Sequence, residues 1–245
     1  MSDERVAVVT GSGKGIGRAI AERLARDGYR VVINYRRDAA SAHETLNAVQ
    51  AVSPESVVLQ ADVATPNGAR ELIEKTQTQF GRLDVLVNNA GPFLVKPVFD
   101  TTVEEWQEII DGNLSSAFYC IKAALPLMRG QKSGHIINLG SLNAENARGA
   151  PTTVAYNVAK TGLVVLTKSV ARSEARHGIR CNIVNPGFIE TYATSDADKR
   201  ELPSIIPLGK LGHVEDISNL VAYLLSEQAH YITGSVMNVH GGLWV

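Results

Sequence analysis

Val6-Ala7-Val8-Val9-Thr10-Gly11-Ser12-Gly13-Lys14-Gly15-Ile16-Gly17 decides the fold of this chain. Val6–Val9 is apolar without polar alternation, the pattern of a strand covered on both faces of a parallel sheet. It runs directly into a glycine-rich turn, and helical periodicity begins at Gly15 and continues to Asp27. Glycines permit a tight turn and close backbone approach, and the start of a helix offers unpaired N–H groups to a pyrophosphate. Ordinary tight turns also use glycine, so the strand before and the helix after give this turn its meaning. A mononucleotide phosphate loop is excluded, because Lys14 is followed by Gly15 where that motif needs Ser or Thr.

The same alternation extends along the chain. Val31–Ile33, Val57–Leu59, Val85–Val87, Ile136–Leu139 and Ile183–Val184 read as buried strands, and Val236–Val239 as a last one. Helices are expected near Gly15–Asp27, Ala39–Ala51, Pro66–Phe80, Val103–Arg129 (in two pieces), Val154–His177 and Val214–Ser226. This is a doubly wound α/β layout of the Rossmann type: about seven parallel strands, helices on both faces, and ligands beyond the carboxyl ends of the strands. No repeat, low-complexity tract or linker divides residues 1–245, so one domain is expected.

Composition narrows the function. With 44% hydrophobic residues and a formal net charge of −1, the chain has a substantial core and no field for gripping nucleic acid or anionic lipid. No apolar run is long enough to span a bilayer, and Met1–Arg5 does not open a signal peptide. Cys120 and Cys181 lie in apolar contexts without metal-ligand spacing and are expected as reduced thiols of a cytoplasmic protein. Six scattered histidines form no i, i+4 pair, so no metal site is expected.

At the end of the second strand stands Asn34-Tyr35-Arg36-Arg37. A site for NAD usually places an acidic side chain there to hold the ribose hydroxyls. Here two guanidinium groups stand where a 2′-phosphate would lie, and Lys14 adds a cation from the glycine turn. Arginine suits forked contact with phosphate, so NADP(H) is expected rather than NAD(H). A solvated basic turn is the alternative for Arg37.

Tyr156 and Lys160 are four apart on a helix and share a face, roughly 5–6 Å apart at Cβ. A phenol ionises near 10, and a fixed ammonium beside it favours the phenolate. Bringing it near neutrality needs about 4 kcal/mol, at about 1.36 kcal/mol per unit. Ser141 follows Ile136–Leu139 and Gly140, at the carboxyl end of a central strand. Its hydroxyl can orient a carbonyl oxygen, and no His or acid is placed to make it a nucleophile.

Together the Thr10–Gly17 turn, Asn88-Asn89-Ala90-Gly91, Asn113, Ser141, Tyr156-x-x-x-Lys160 and Asn185-Pro186-Gly187 resemble the short-chain dehydrogenase/reductase family over essentially the whole chain. The resemblance implies Asn113, Ser141, Tyr156 and Lys160 as catalytic residues. It implies cofactor contacts from Gly11, Ser12, Lys14, Gly15, Ile16 and Gly17, then Asn34, Tyr35 and Arg36. Asp62 and Val63 would hold the adenine edge, with a helix cap as the alternative for Asp62. Asn89, Ala90 and Gly91 would lie along the ribose, while Asn88 braces the sheet. Pro186, Gly187, Ile189 and Thr191 would meet the nicotinamide, and Tyr156 and Lys160 also contact the cofactor. Asn113 would mark a helix irregularity whose carbonyl holds a water on the path from solvent to Lys160.

Ser141 and Tyr156 are 15 positions apart, slightly more than the family shows, and counting back by the usual interval lands nearer Asn143. The extra length is expected to loop out. Leu142–Pro151 would then wall the substrate, with Asn143, Glu145 and Arg148 as contacts. The polar, poorly periodic Tyr192–Leu208 suits a mobile lid, near 190–208.

The implied activity is NADPH-dependent carbonyl reduction. Within the family the chain is most similar to bacterial reductases of 3-oxoacyl groups on acyl carrier protein, for which Arg129, Lys132, Arg172 and Arg176 are candidate basic contacts. A small-molecule ketone is the other substrate class, and Pro92-Phe93-Leu94 could face an apolar one. An NAD(P)-dependent alcohol, sugar or steroid dehydrogenase is the alternative, and a non-catalytic NADP-sensing protein a third reading. A homotetramer is expected, built through Val103–Arg129 with Val154–His177 and through the carboxyl-terminal region; a dimer is the alternative. His240 stands where an aspartate is commoner.

Overall fold

The computed structural model describes residues 5–243; the reading of Met1–Arg5 falls, Arg5 apart, outside them. Seven strands form one sheet: β1 (Val6–Val9), β2 (Arg30–Tyr35), β3 (Val57–Gln60), β4 (Val85–Asn88), β5 (Gly134–Leu139), β6 (Ile179–Pro186) and β7 (Val236–Val239). Their order is β3-β2-β1-β4-β5-β6-β7, and every neighbouring pair is parallel. The doubly wound α/β fold expected from the strand pattern is therefore present. The chain steps outward from β1 to β3, then crosses back to β4 on the other side of β1. That reversal opens a crevice beyond the carboxyl ends of β1 and β4.

The helices are α1 (Gly15–Arg26), α2 (Ala39–Gln50), α3 (Pro66–Phe80), α4 (Val103–Ile110), α5 (Ser116–Gln131), α6 (Val154–Glu174), α7 (Asp196–Glu201) and α8 (Val214–Leu225). Uninterrupted apolar strands are needed because both sheet faces are covered. Ala7 and Val9 pack in one layer with Ile20 and Leu24 of α1 and Ile217 and Val221 of α8. Val6 and Val8 pack in the opposite layer with Leu72 and Ile73 of α3 and Cys120 and Ile121 of α5.

Three departures from the sequence pattern have local causes. β6 is longer than Ile183–Val184, because its polar residues find partners. Arg180 donates to Leu224 O (2.7 Å) and Ile232 O (2.9 Å), and Asn182 donates to Ile232 O (3.0 Å) and accepts from Ser235 N (3.0 Å). The segment expected as an irregular lid contains α7, started by Ser195 and Asp198 in a reciprocal cap. Between α4 and α5, Asp111–Ser115 forms a single wide π turn at the asparagine expected to mark an irregularity.

Both cysteines are buried and free, and burial pushes their thiols up, Cys120 to about 12. Among the described residues, no group of three or more His, Cys, Asp or Glu is placed to hold a metal ion. No described helix is long and apolar enough to cross a membrane.

Candidate active site

A cleft of about 1230 Å³ runs beyond the carboxyl ends of the strands. It begins at the glycine turn, which the strand termini brace. Thr10 Oγ1 accepts from Asn89 N and Ala90 N (both 3.0 Å), and Asn89 Nδ2 donates to Thr10 O (2.9 Å) and Gly11 O (3.0 Å). A Cβ at Gly17 would stand 2.5 Å from Asn89 Nδ2 and 2.6 Å from Gly11 O, so only glycine lets the helix start this close to the strand ends. Gly11, Lys14, Gly15, Ile16 and Gly17 line the cleft. Ser12 does not: its hydroxyl donates to Val9 O (2.7 Å) and accepts from Asn34 N (3.2 Å), locking the turn onto β2.

The far end holds Arg36, Asp62 and Val63, while Tyr35 is not among the lining residues. Asn34 lines the cleft, but its side chain accepts from Gly11 N (3.3 Å) and donates to Ala61 O (3.1 Å), so it mainly ties three strand ends together. Asp62 accepts from Ala64 N (3.1 Å), and the cap of α3 is Thr65, whose hydroxyl accepts from Gly68 N (3.1 Å); the cap role is thus taken and Asp62 faces the cleft. Arg36 lies 3.9 Å from both Asp62 and Glu108. Lys14 donates to Asp38 (3.1 Å), and its Nζ stands 4.6 Å from the Tyr192 ring centroid. Asp38 escaped the sequence reading, and Tyr192 entered it only as the start of the expected lid, not as a neighbour of Lys14. The placement of Asp38 directly after Arg37 at a helix start was the available signal for the first; nothing local signals the second.

Asn89, Ala90, Gly91, Asn113, Ser141, Tyr156, Lys160, Pro186, Gly187, Ile189 and Thr191 line the remainder. Asn88 donates to Asn138 (2.8 Å) and so braces β4 against β5. Asn113 Nδ2 donates to Pro92 O (2.8 Å) and Ile109 O (3.0 Å), and its buried Oδ1 accepts no hydrogen bond. That amide fills the space beside Gly91, where a Cβ would collide with it. The π turn therefore has a specific partner, the β4 turn.

Lys160 is 4% exposed, and its Nζ donates to Leu139 O (2.7 Å). Its Nζ lies 5.5 Å from the Tyr156 ring centroid. The expected lowering of the phenol is absent in this structure. Burial pushes Tyr156 up to about 12 and Lys160 down to about 8. Tyr156 thus carries its proton throughout the neutral range. Phe93 packs edge-on against it, with centroids 4.8 Å apart.

The long Ser141–Tyr156 connection is taken up by a short 3₁₀ turn, Ala144–Asn146, flanked by Asn143 (φ 62°) and Ala147 (φ 49°) in the left-handed region. Asn143 and Arg148 line the cleft, as expected, and Glu145 does not. Its carboxylate instead turns to the sheet, accepting from Asn185 Nδ2 (2.8 Å) and Asn238 Nδ2 (2.5 Å). The side-chain amides of Asn185 in β6 and Asn238 in β7 give it two donors there. From the segment expected as a lid, Tyr192, Ala193, Thr194, Asp198 and Leu202 reach the cleft.

With this geometry the comparisons agree. The family model described as enoyl-(acyl carrier protein) reductase matches residues 11–244. The 3-oxoacyl-[acyl-carrier-protein] reductase FabG of Staphylococcus aureus is 42% identical over the whole of both chains. Glucose 1-dehydrogenase 2 of Bacillus subtilis is 36% identical across 98% of this chain and 94% of that one. The crystal structure of acetoin dehydrogenase YohF from Salmonella typhimurium superposes with a TM-score of 0.90 at 35% identity, covering 98% of this chain and 96% of that chain. The chain belongs to the short-chain dehydrogenase/reductase family. It is an oxidoreductase close to the 3-oxoacyl-acyl-carrier-protein reductases.

Proposed function

We propose that this protein is an NADPH-dependent carbonyl reductase, acting on a ketone of the 3-oxoacyl thioester kind. The observation that carries the reading is a protonated, half-buried phenol, Tyr156, in one cleft with Ser141, Lys160 and the glycine turn. The residues fit a dinucleotide: backbone bared at Gly17, the cation Lys14 in the glycine turn and Arg36 at the far end, and small residues Ala90 and Gly91 beside them. The reduced nicotinamide, when bound, supplies the hydride. Tyr156 gives its proton to the carbonyl oxygen, toward which Ser141 donates a hydrogen bond. Lys160 holds the ribose and favours the phenolate left behind, and Asn113 supports proton resupply. Pro186, Gly187, Ile189 and Thr191 seat the nicotinamide, and residues 190–208 act as the lid of a single-domain enzyme.

Docking of an acyl carrier protein rests on Arg172, Lys132 and Arg176 more than on Arg129, which Glu174 holds through two contacts of 2.7 Å. Exposed Val103 and Trp106 on α4, Phe118 on α5 and Val158 and Val165 on α6 support a homotetramer, with a dimer the alternative. Two buried free thiols suit the cytoplasm. An alcohol or sugar dehydrogenase is the second reading, favoured by the likeness to glucose 1-dehydrogenase 2. Assays with 3-oxoacyl thioesters, simple ketones, alcohols and sugars, each with both cofactors, separate the two. Tyr156→Phe is expected to lower carbonyl reduction by roughly 100- to 10,000-fold with NADPH binding intact. Retention of most activity refutes the assignment.

A further inference from the structure

We propose that Asp38 is a cofactor-specificity residue that acts through Lys14, restraining the preference for a 2′-phosphorylated dinucleotide. The inference rests on the NADPH reading above. Asp38 caps α2 just past the β2 turn, and its carboxylate is fixed by Ser41 N (3.1 Å) and Ser41 Oγ (2.8 Å). Its third partner is Lys14 Nζ, at 3.1 Å. Lys14 is therefore matched to a carboxylate of its own chain before any ligand arrives. Arg36, the other cation lining this end, is flanked by Asp62 and Glu108 at 3.9 Å.

A 2′-phosphate that binds here must draw Lys14 away from Asp38, so part of that cation's attraction is already taken up by the carboxylate. An unphosphorylated ribose makes no claim on Lys14, so its binding leaves the pair intact. Both members of the Lys14–Asp38 pair are 47% exposed, so water screens the effect to the modest size of a surface ion pair. The ribose end thus carries opposed charges, and the carboxylate sets how far the cations' preference is expressed.

The test is calorimetric binding of NADPH and NADH to the full chain and to Asp38→Asn, Asp38→Ser, Lys14→Met and Asp38→Asn combined with Lys14→Met. Asn and Ser both keep a capping oxygen for Ser41 N, so a cap-only role leaves cofactor affinities unmoved. Asp38→Asn is expected to tighten NADPH about fivefold, with NADH changed less than twofold. In the Lys14→Met background the same change is expected to have less than a twofold effect. An NADPH-to-NADH affinity ratio unmoved by both Asp38 variants overturns the proposal, as does an equal shift with Lys14 removed. Tighter NADH than NADPH binding by the unmodified chain would refute the cofactor reading instead, while the shift on removing the carboxylate still decides the role of Asp38.

Discussion

Replacing Glu145 with alanine removes the anchor of the loop that walls the catalytic end of the cleft. Glu145 Oε2 accepts from Asn185 Nδ2 at 2.8 Å and Oε1 from Asn238 Nδ2 at 2.5 Å. Asn185 keeps a second acceptor, Asn238 Oδ1 at 3.1 Å, so it is not orphaned. Asn238 is exposed and regains water. The loss is therefore about one full charge-assisted hydrogen bond plus a fraction of another, about 2 kcal/mol. For a chain of this length that lowers Tm by about 6 °C. The loop also loses the contact that holds Asn143 and Ala147 in left-handed backbone, each disfavoured by roughly 1 kcal/mol or more. With the wall released, KM for the carbonyl substrate should rise several-fold while the Kd of NADPH stays unchanged. Glu145→Gln keeps one acceptor oxygen and should show about half the Tm shift. Thermal unfolding and steady-state kinetics on the same preparations measure both effects. An alanine variant that melts within about 1 °C of the parent, with an unchanged KM, refutes the anchoring argument.

Arg36→Asp should weaken NADPH binding about tenfold or more and move preference toward NADH, because it sets a carboxylate beside Asp62 and Glu108 where a phosphate would lie; an unchanged affinity ratio in a titration followed by nucleotide fluorescence would count against the phosphate role. His135 should make stability acid-sensitive. Burial first, then the positive charges of Arg180 and Arg5, holds it down to about 4, and Arg180 donates to its Nδ1 at 3.0 Å. Because the folded value lies below the unfolded one near 6.5, its contribution is complete above about 6.5 and is lost as pH falls toward 4. The unfolding free energy read from urea titrations should therefore fall by up to about 3 kcal/mol across that window, and the fall should shrink in His135→Gln. Equal pH profiles for the two proteins would sink this account.

The fold was legible because a sheet covered on both faces demands apolar strands, and these runs are apolar. Strand ends were less so: Arg180 and Asn182 interrupt the apolar pattern of β6, yet distant carbonyls at Leu224 and Ile232 satisfy them. Strand order is written in no periodicity, and only the structure supplies it. Candidate site residues were legible where they stand at or just past a strand end, as Ser141, Asn89 and Pro186 do. The protonation of Tyr156 was not, since a helical spacing gives the neighbour but not the burial, and burial is what moves this phenol. Asp38 and Tyr192 were missed because what matters is their meeting with Lys14, and long-range pairing leaves no local trace.

The crossover from β3 to β4 divides the molecule's tasks along the chain. Lys14, Arg36 and Asp62, which line the cleft, and Asp38, which pairs with Lys14, all precede β4; Asn113, Ser141, Tyr156 and Lys160 all follow it. Within the sheet the two portions share a single ladder, Ala7, Val8 and Val9 against Val85, Leu86 and Val87. On the roles proposed above, exchange of genetic material at that seam would move Lys14, Arg36, Asp38 and Asp62 together and leave Tyr156 and Lys160 in place, with Glu108 and Tyr192, the neighbours of Arg36 and Lys14 beyond it, as the contacts to be rematched.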